Sequence, residues 1–144
     1  MKKMFSILAV AMAFVSTVWA DDKPVAFNQL PAAAQSFIAE NYPADKILYA
    51  TVDDDLIKPD YTVVLESGVK IEFQNDGSLE KISSSQDGIP AGIIPAKIRE
   101  YVRHHYPGAA YVEYEVGRKT YEVTLSNRME LKFNSSFAVV EIDD

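Results

Sequence analysis

Polar and apolar residues alternate through the stretch from Tyr61 to Phe73, and the same alternation returns sixty positions later, from Tyr121 to Phe133. A period of two marks half-buried strands, so each stretch is predicted to be a β-hairpin. The pattern also predicts the register. A two-residue loop at Ser67-Gly68 would pair Leu65 with Lys70 and mix the faces. A three-residue loop, Glu66-Ser67-Gly68, pairs Leu65 with Val69, Val63 with Ile71 and Tyr61 with Phe73. Every large apolar residue except Val64 then lies on one side, and a slip of one residue would expose the whole set. Such a loop puts its third residue in the left-handed region, where Gly68 is at ease. In the second copy Arg128 stands there. A non-glycine residue at positive φ costs on the order of 1 kcal/mol, so this turn is expected to be strained or of another type.

Ahead of each hairpin the period changes. Leu30, Ala34, Phe37, Ile38 and Tyr42 take helical spacing; Pro31 suits a first turn and Pro43 stops the helix. Ile94-Pro95, Tyr101-Val102 and Tyr106-Pro107 repeat this helix pattern 64 positions on (30 to 94). Lys46–Val52 reads as a strand with Leu48, Ala50 and Val52 inward, then a loop through Asp53–Pro59. Asn75-Asp76-Gly77-Ser78 is a turn, and Leu79–Ser84 a fourth strand. The second set is Tyr111–Val116, Thr120–Leu125, Met129–Asn134 and Ala138–Ile142. The chain thus reads as α+β, a tandem repeat of two α-β-β-β-β units in which helices pack on one face of an antiparallel sheet. The units fall at 21–85 and 86–144, with Asp21–Gln29 as a lead-in. Expected core positions are Phe37, Ile38, Leu48, Val63, Leu65, Ile71 and Phe73, then Ile98, Tyr101, Val102, Val123, Leu125, Leu131 and Phe133.

The first twenty residues differ from the rest. Met1-Lys2-Lys3 is basic, Met4–Val18 is apolar, and Val18-Trp19-Ala20 puts small residues where a signal peptidase reads. This predicts a signal peptide over 1–20. The apolar run is shorter than the roughly 20 residues a membrane span needs, and no later stretch could cross. The mature protein is therefore expected in the periplasm or secreted. The sequence has no cysteine, which excludes a lipid-attached N-terminus, disulfides, thiolate zinc sites and a cysteine nucleophile.

The whole sequence carries a formal charge of −7, and loss of Lys2 and Lys3 with the leader makes it more acidic. Acidity argues against nucleic acid and anionic lipid as partners. Candidate chemistry is sparse. His104 and His105 are the only histidines; neighbours on a helix point about 100° apart and cannot chelate together. Asp53-Asp54-Asp55 with Asp60 lacks the alternation and the glycine of a calcium loop. No Gly-x-Ser-x-Gly occurs. Paired carboxylates such as Glu113 and Glu115 lie on a strand face without the pocket an acid catalyst needs. No catalytic residue, metal ligand or cofactor is expected.

The helix ending in Asn41-Tyr42-Pro43 or His105-Tyr106-Pro107, the following Tyr-x-Val-x-Leu strand, and the next strand ending in Glu-Phe or Lys-Phe together resemble the PepSY-like family. Its members are secreted proteins described as similar to beta-lactamase-inhibitor proteins. The resemblance spans most of residues 30–142. It implies helix-plus-sheet repeats joined in one long curved sheet, and no known enzyme activity. The sequence departs from the family pattern at Arg128 and at Ser135-Ser136-Phe137, which puts the shape of two turns in question.

If helices cover one sheet face, the other is open. The predicted register places Thr62, Val64, Lys70 and Glu72 there, with Glu122, Thr124, Glu130 and Lys132 from the second unit. The first strands add Ile47 and Tyr49, then Tyr111, Glu113 and Glu115. Tyr49 and Tyr111 are the kind of side chain that anchors interfaces, and the carboxylates would steer in a basic partner. The expected binding residues are Tyr49, Glu72, Tyr111, Glu113, Glu115, Glu122 and Lys132. The expected function is a non-catalytic module that binds an extracytoplasmic protein or peptide and could inhibit a hydrolase. The alternative is a small enzyme or ligand carrier with a pocket between the units.

Overall fold

The computed structural model describes residues 22–54, 57–84 and 87–144. The expected signal peptide, the boundary between 85 and 86, and Asp55 lie outside the described residues. Helix α1 spans Ala32–Asn41 and helix α2 spans Ala96–His105, each preceded by a short 3-10 turn. The strands are β1 (Asp22–Pro24), β2 (Ile47–Asp53), β3 (Asp60–Leu65), β4 (Lys70–Phe73), β5 (Leu79–Ser83), β6 (Tyr111–Val116), β7 (Thr120–Leu125), β8 (Glu130–Asn134) and β9 (Val139–Asp143). All nine form one antiparallel sheet in sequence order. Strand β1 was not expected: part of the lead-in pairs with β2, Lys23 opposite Val52, and caps that edge.

The hairpins adopt the register the pattern predicts. Tyr61 pairs with Phe73 and Val63 with Ile71; Tyr121 pairs with Phe133 and Val123 with Leu131. Both loops close alike: the Gly68 and Arg128 amides donate to the carbonyls of Leu65 and Leu125, at 3.0 and 2.9 Å. Arg128 sits at φ 74°, so the turn has kept its type and carries the strain. The next turns also match. Gly77 takes φ 86° and Phe137, in the equivalent place, φ 64°. Neither family departure changes the loop.

The helices lie on one face. Ala34 and Ile38 of α1, and Ile98 and Val102 of α2, are buried against Val63, Leu65, Ile71, Phe73, Val123, Leu125, Leu131 and Phe133. Phe37 and Tyr101 are half-buried and pack against this core. Phe37 meets Phe73 edge-on, at 5.7 Å and 79°. The two helices are tied at both ends by side chains that differ but act alike. Gln35 donates to the Leu30 carbonyl and Arg99 to that of Ile94; Asn41 donates to the Phe37 carbonyl and His105 to that of Tyr101. His105 also stacks on Tyr101, centroids 4.0 Å apart, which accounts for that histidine structurally.

Three sequence expectations fail, for one reason. Both first strands carry a β-bulge. Ile47 pairs with Leu65 but Tyr49 with Val64, so Leu48 is the extra residue. Tyr111 pairs with Leu125 but Glu113 with Thr124, so Val112 is extra. A bulge reverses the facing of everything before it. Leu48, expected inside, is 61% exposed. Ile47, expected on the open face, packs on the core. Tyr111, expected beside it, is only 7% exposed and belongs to the core.

Strands β5 and β6 join the two halves of the sheet. Lys81 pairs with Glu115, Ile82 with Tyr114 and Ser83 with Glu113. Ile82 is fully buried and Tyr114 nearly so. This seam makes the sheet continuous, as the resemblance implied.

Candidate functional site

Side chains alternate across a sheet, so residues next to the buried ones face away from the helices. Cross-strand pairing sets them in two rows. One runs Thr51, Thr62, Glu72, Lys81, Glu115, Glu122, Lys132, Glu141 from β2 to β9. The neighbouring row runs Tyr49, Val64, Lys70, Ser83, Glu113, Thr124, Glu130, Asp143. Tyr49, Glu72, Glu113, Glu115, Glu122 and Lys132 thus share the open face, and Tyr111 does not. Lys81 and Ser83 join them across the seam. The sequence held no cue to this, because the pairing of β5 with β6 spans a helix.

The face is charged but only partly neutralised. Lys81 lies 3.7 Å from Glu113, and Lys132 lies 3.5 Å from Glu141. Both pairs are part-exposed, and such pairs contribute about 0–1 kcal/mol. Glu115 stands directly opposite Glu122, and Glu130 opposite Asp143; like charges so placed repel. Glu80 is the extra residue in the bulge between β4 and β5. Partial burial, then the charges of Asp60, Glu72 and Glu115, hold its carboxyl above the usual glutamate range. Tyr49 is 43% exposed and adds an aromatic surface to the same row, at its β2 end.

A second feature is a groove of about 390 Å³ between the end of α1, the β3–β4 turn and the segment leading toward α2. Tyr42, Asp45, Ser67, Ser84 and Asp87 line it. Ser67 donates a hydrogen bond to the Asp45 carboxylate. The Tyr42 hydroxyl is buried with no hydrogen-bond partner among the described residues. Its pKa is pushed up to about 12, by burial first and by the Asp45 charge second. At neutral pH it is a proton donor and not a base.

Lys23 pairs with Asp54 at 2.9 Å, while Asp22, Asp53 and Asp60 sit in register across β1–β3. Among the described residues no group of three histidine, cysteine or acidic side chains is placed to hold a metal ion. Among the same residues no helix is long and apolar enough to cross a membrane.

An antiparallel sheet with two helices on one face and an open, acidic second face defines an α+β protein whose distinguishing surface is a sheet and not a cleft. The chain belongs to the PepSY-like family, described as "Putative beta-lactamase-inhibitor-like, PepSY-like", whose profile matches residues 16–56 and 59–141. Three solved structures are similar. A protein of Bacteroides thetaiotaomicron, described as a "putative calcium-regulated periplasmic protein", is 38% identical over 87% of this chain and 98% of its own, with a TM-score of 0.84. A protein of Bacteroides vulgatus, described as a "putative periplasmic protein", is 36% identical over 86% of this chain and 98% of its own, TM-score 0.83. A second from that organism, of unknown function, is 30% identical over 85% and 99%, TM-score 0.80. A comparison with curated proteins gives no match. The neighbours are described as periplasmic proteins, the location expected here from the N-terminal residues.

Proposed function

We propose that the chain is a non-catalytic periplasmic binding module, formed by two copies of one α-β-β-β-β unit (21–85 and 86–144), whose open sheet face recognises an extracytoplasmic protein or peptide. The observation that carries this reading is the pair of side-chain rows crossing both halves of the sheet, with no helix over them among the described residues. A broad face with one aromatic, partly matched charges and an acidic excess suits a basic partner. Its role is steering and register more than raw affinity. The family's inhibitor-like description makes a hydrolase a reasonable class of partner. The carboxylates on this face are part-exposed on a sheet surface and not enclosed in the dry, shaped setting that acid–base catalysis uses.

The test is capture of partners from a native envelope extract by the mature protein, with and without calcium, followed by affinity measurement on what is captured. Tyr49→Ala combined with Glu115→Gln and Glu122→Gln is expected to weaken binding at least tenfold, about 1.4 kcal/mol, with an unchanged melting curve. Equal affinity in the folded variant would remove the open face as the site.

A second reading places a small ligand in the groove, favoured by the buried Tyr42 hydroxyl without a partner. A ligand accepting that hydrogen bond would bind wild type and be lost by Tyr42→Phe, with Tyr49→Ala having no effect.

A further inference from the structure

The seam and the C-terminal edge of the sheet occupy equivalent places sixty positions apart. Strand β5 is Leu79-Glu80-Lys81-Ile82-Ser83, and β9 is Val139-Val140-Glu141-Ile142-Asp143. Each follows a three-residue left-handed turn, and each pairs on one side with the preceding strand through an identical bulge. They differ on the other side. β5 receives β6, whose Tyr114 lies opposite Ile82 and is flanked by Glu113 and Glu115. Among the described residues β9 pairs with β8 alone. The cost of that difference is visible at one position: Ile82 is 0% exposed, whereas Ile142 is 47% exposed.

Charge is reversed between the two edges. Lys81 faces the acidic flanks of β6 and lies 3.7 Å from Glu113. Its counterpart is Glu141, and the counterpart of Ser83 is Asp143. Asp143 stands opposite Glu130, with no cation facing either in that row. Acid against acid disfavours pairing β9 with a second β9, or with the Glu-Tyr-Glu pattern of β6. The opposite edge of another copy is β1, which is only three residues long and ends in Pro24, a residue with no backbone N–H to add to a ladder.

We infer that the outer edge of β9 is a strand-addition site that takes an extended, antiparallel segment with an apolar or aromatic residue between two basic ones. Its central side chain covers Ile142 as Tyr114 covers Ile82, and its flanking cations face Glu141 and Asp143. Backbone hydrogen bonds to the edge supply the affinity and the alternating side chains the selectivity. An unpaired edge with an exposed isoleucine is otherwise an aggregation hazard. Asp143, and Glu141 beyond its 3.5 Å pairing with Lys132, would disfavour a second copy while admitting this class of partner. The site lies at the rim of the sheet: Glu141 and Asp143 end the two open-face rows, but the β9 backbone edge and Ile142 lie outside them.

The probe is a blocked peptide of Thr and Val residues with Lys-Tyr-Lys at its centre, bound to the mature chain and followed by fluorescence anisotropy. Controls carry Glu-Tyr-Glu at the centre, or backbone N-methyl groups on the Lys-Tyr-Lys peptide. The expected result is that the basic peptide binds at least tenfold tighter than the acidic one. N-methylation should abolish binding, and hydrogen exchange should slow in β9. Glu141→Lys with Asp143→Lys should reverse the order of the two peptides. Equal binding of both, binding that survives N-methylation, protection confined to other strands, or no binding at all would overturn the site. So would a concentration-dependent dimer that Ile142→Lys dissolves, since that gives the edge to a second copy.

Discussion

The ring of Tyr101 stands edge-on to that of Phe133, centroids 5.6 Å apart and planes at 85°, and fixes α2 on the sheet. Phe37 does the same to Phe73 for α1. Phe73 and Phe133 are fully buried, so truncation removes both the edge-to-face contact and most of a large packed volume. Phe73→Ala and Phe133→Ala should each cost about 3–5 kcal/mol, read by urea unfolding. Unchanged midpoints would mean that these rings do not hold the helices.

The two left-handed non-glycine residues should respond differently to glycine. Arg128 is exposed and its loop is otherwise that of Gly68, so Arg128→Gly should stabilise by about 0.5–1 kcal/mol through relief of positive φ. Phe137 also stacks on Tyr121, centroids 5.0 Å apart and planes at 27°. Phe137→Gly relieves the same strain but loses that contact, so thermal melts should show no gain. A clear gain at 137 with none at 128 would contradict this account.

Gly77 should tolerate no side chain. A Cβ there would lie 2.8 Å from the Pro31 Cβ and 3.0 Å from the Ala34 amide nitrogen, on a backbone at φ 86°. The turn would have to leave the start of α1. Gly77→Ala should destabilise by at least about 2 kcal/mol, and a neutral result in chemical denaturation would refute the close approach.

The Glu80 carboxyl has a raised pKa in the folded chain, through burial and then Asp60, Glu72 and Glu115. Folding therefore favours its protonated form. Its contribution is fully present below the ordinary glutamate value and is lost as pH rises through the higher folded value. Glu80→Gln should flatten that decline and raise stability near neutral pH by a few tenths of a kcal/mol, a modest figure because the group is only partly buried. Parallel stability–pH curves for the two proteins would show that Glu80 is not the group responsible.

The parts of the fold legible in the sequence are those written in short-range chemistry. The alternation around Val63 and Ile71, the glycine at 68 and the prolines at 31 and 43 fix hairpin register and helix limits within a few residues of one another. The bulges were not legible. Leu48, Ala50 and Val52 alternate just as an unbroken strand would, and only pairing with β3 shows that Leu48 is the extra residue. Tyr111 moved from the expected site into the core for the same reason. Lys81 was missed because its neighbour Glu115 lies on the far side of α2, and a residue pattern carries no register between distant strands. The open face survived these errors because Tyr49, Glu113 and Glu115 follow their bulges and keep the facing set by the hairpins.

Every strand pair in this sheet joins chain neighbours, six across a turn or loop and two, β1·β2 and β5·β6, across a helix. The tight hairpins can zip within microseconds, since loop closure is their main cost. The seam, like β1·β2, spans a helix: Ser83 meets Glu113 only after the intervening segment and α2 have been gathered in. Contacts of that span slow folding. The hairpins are therefore expected to form before either helix-spanning pairing, and union of the two halves waits on Ile82 meeting Tyr114.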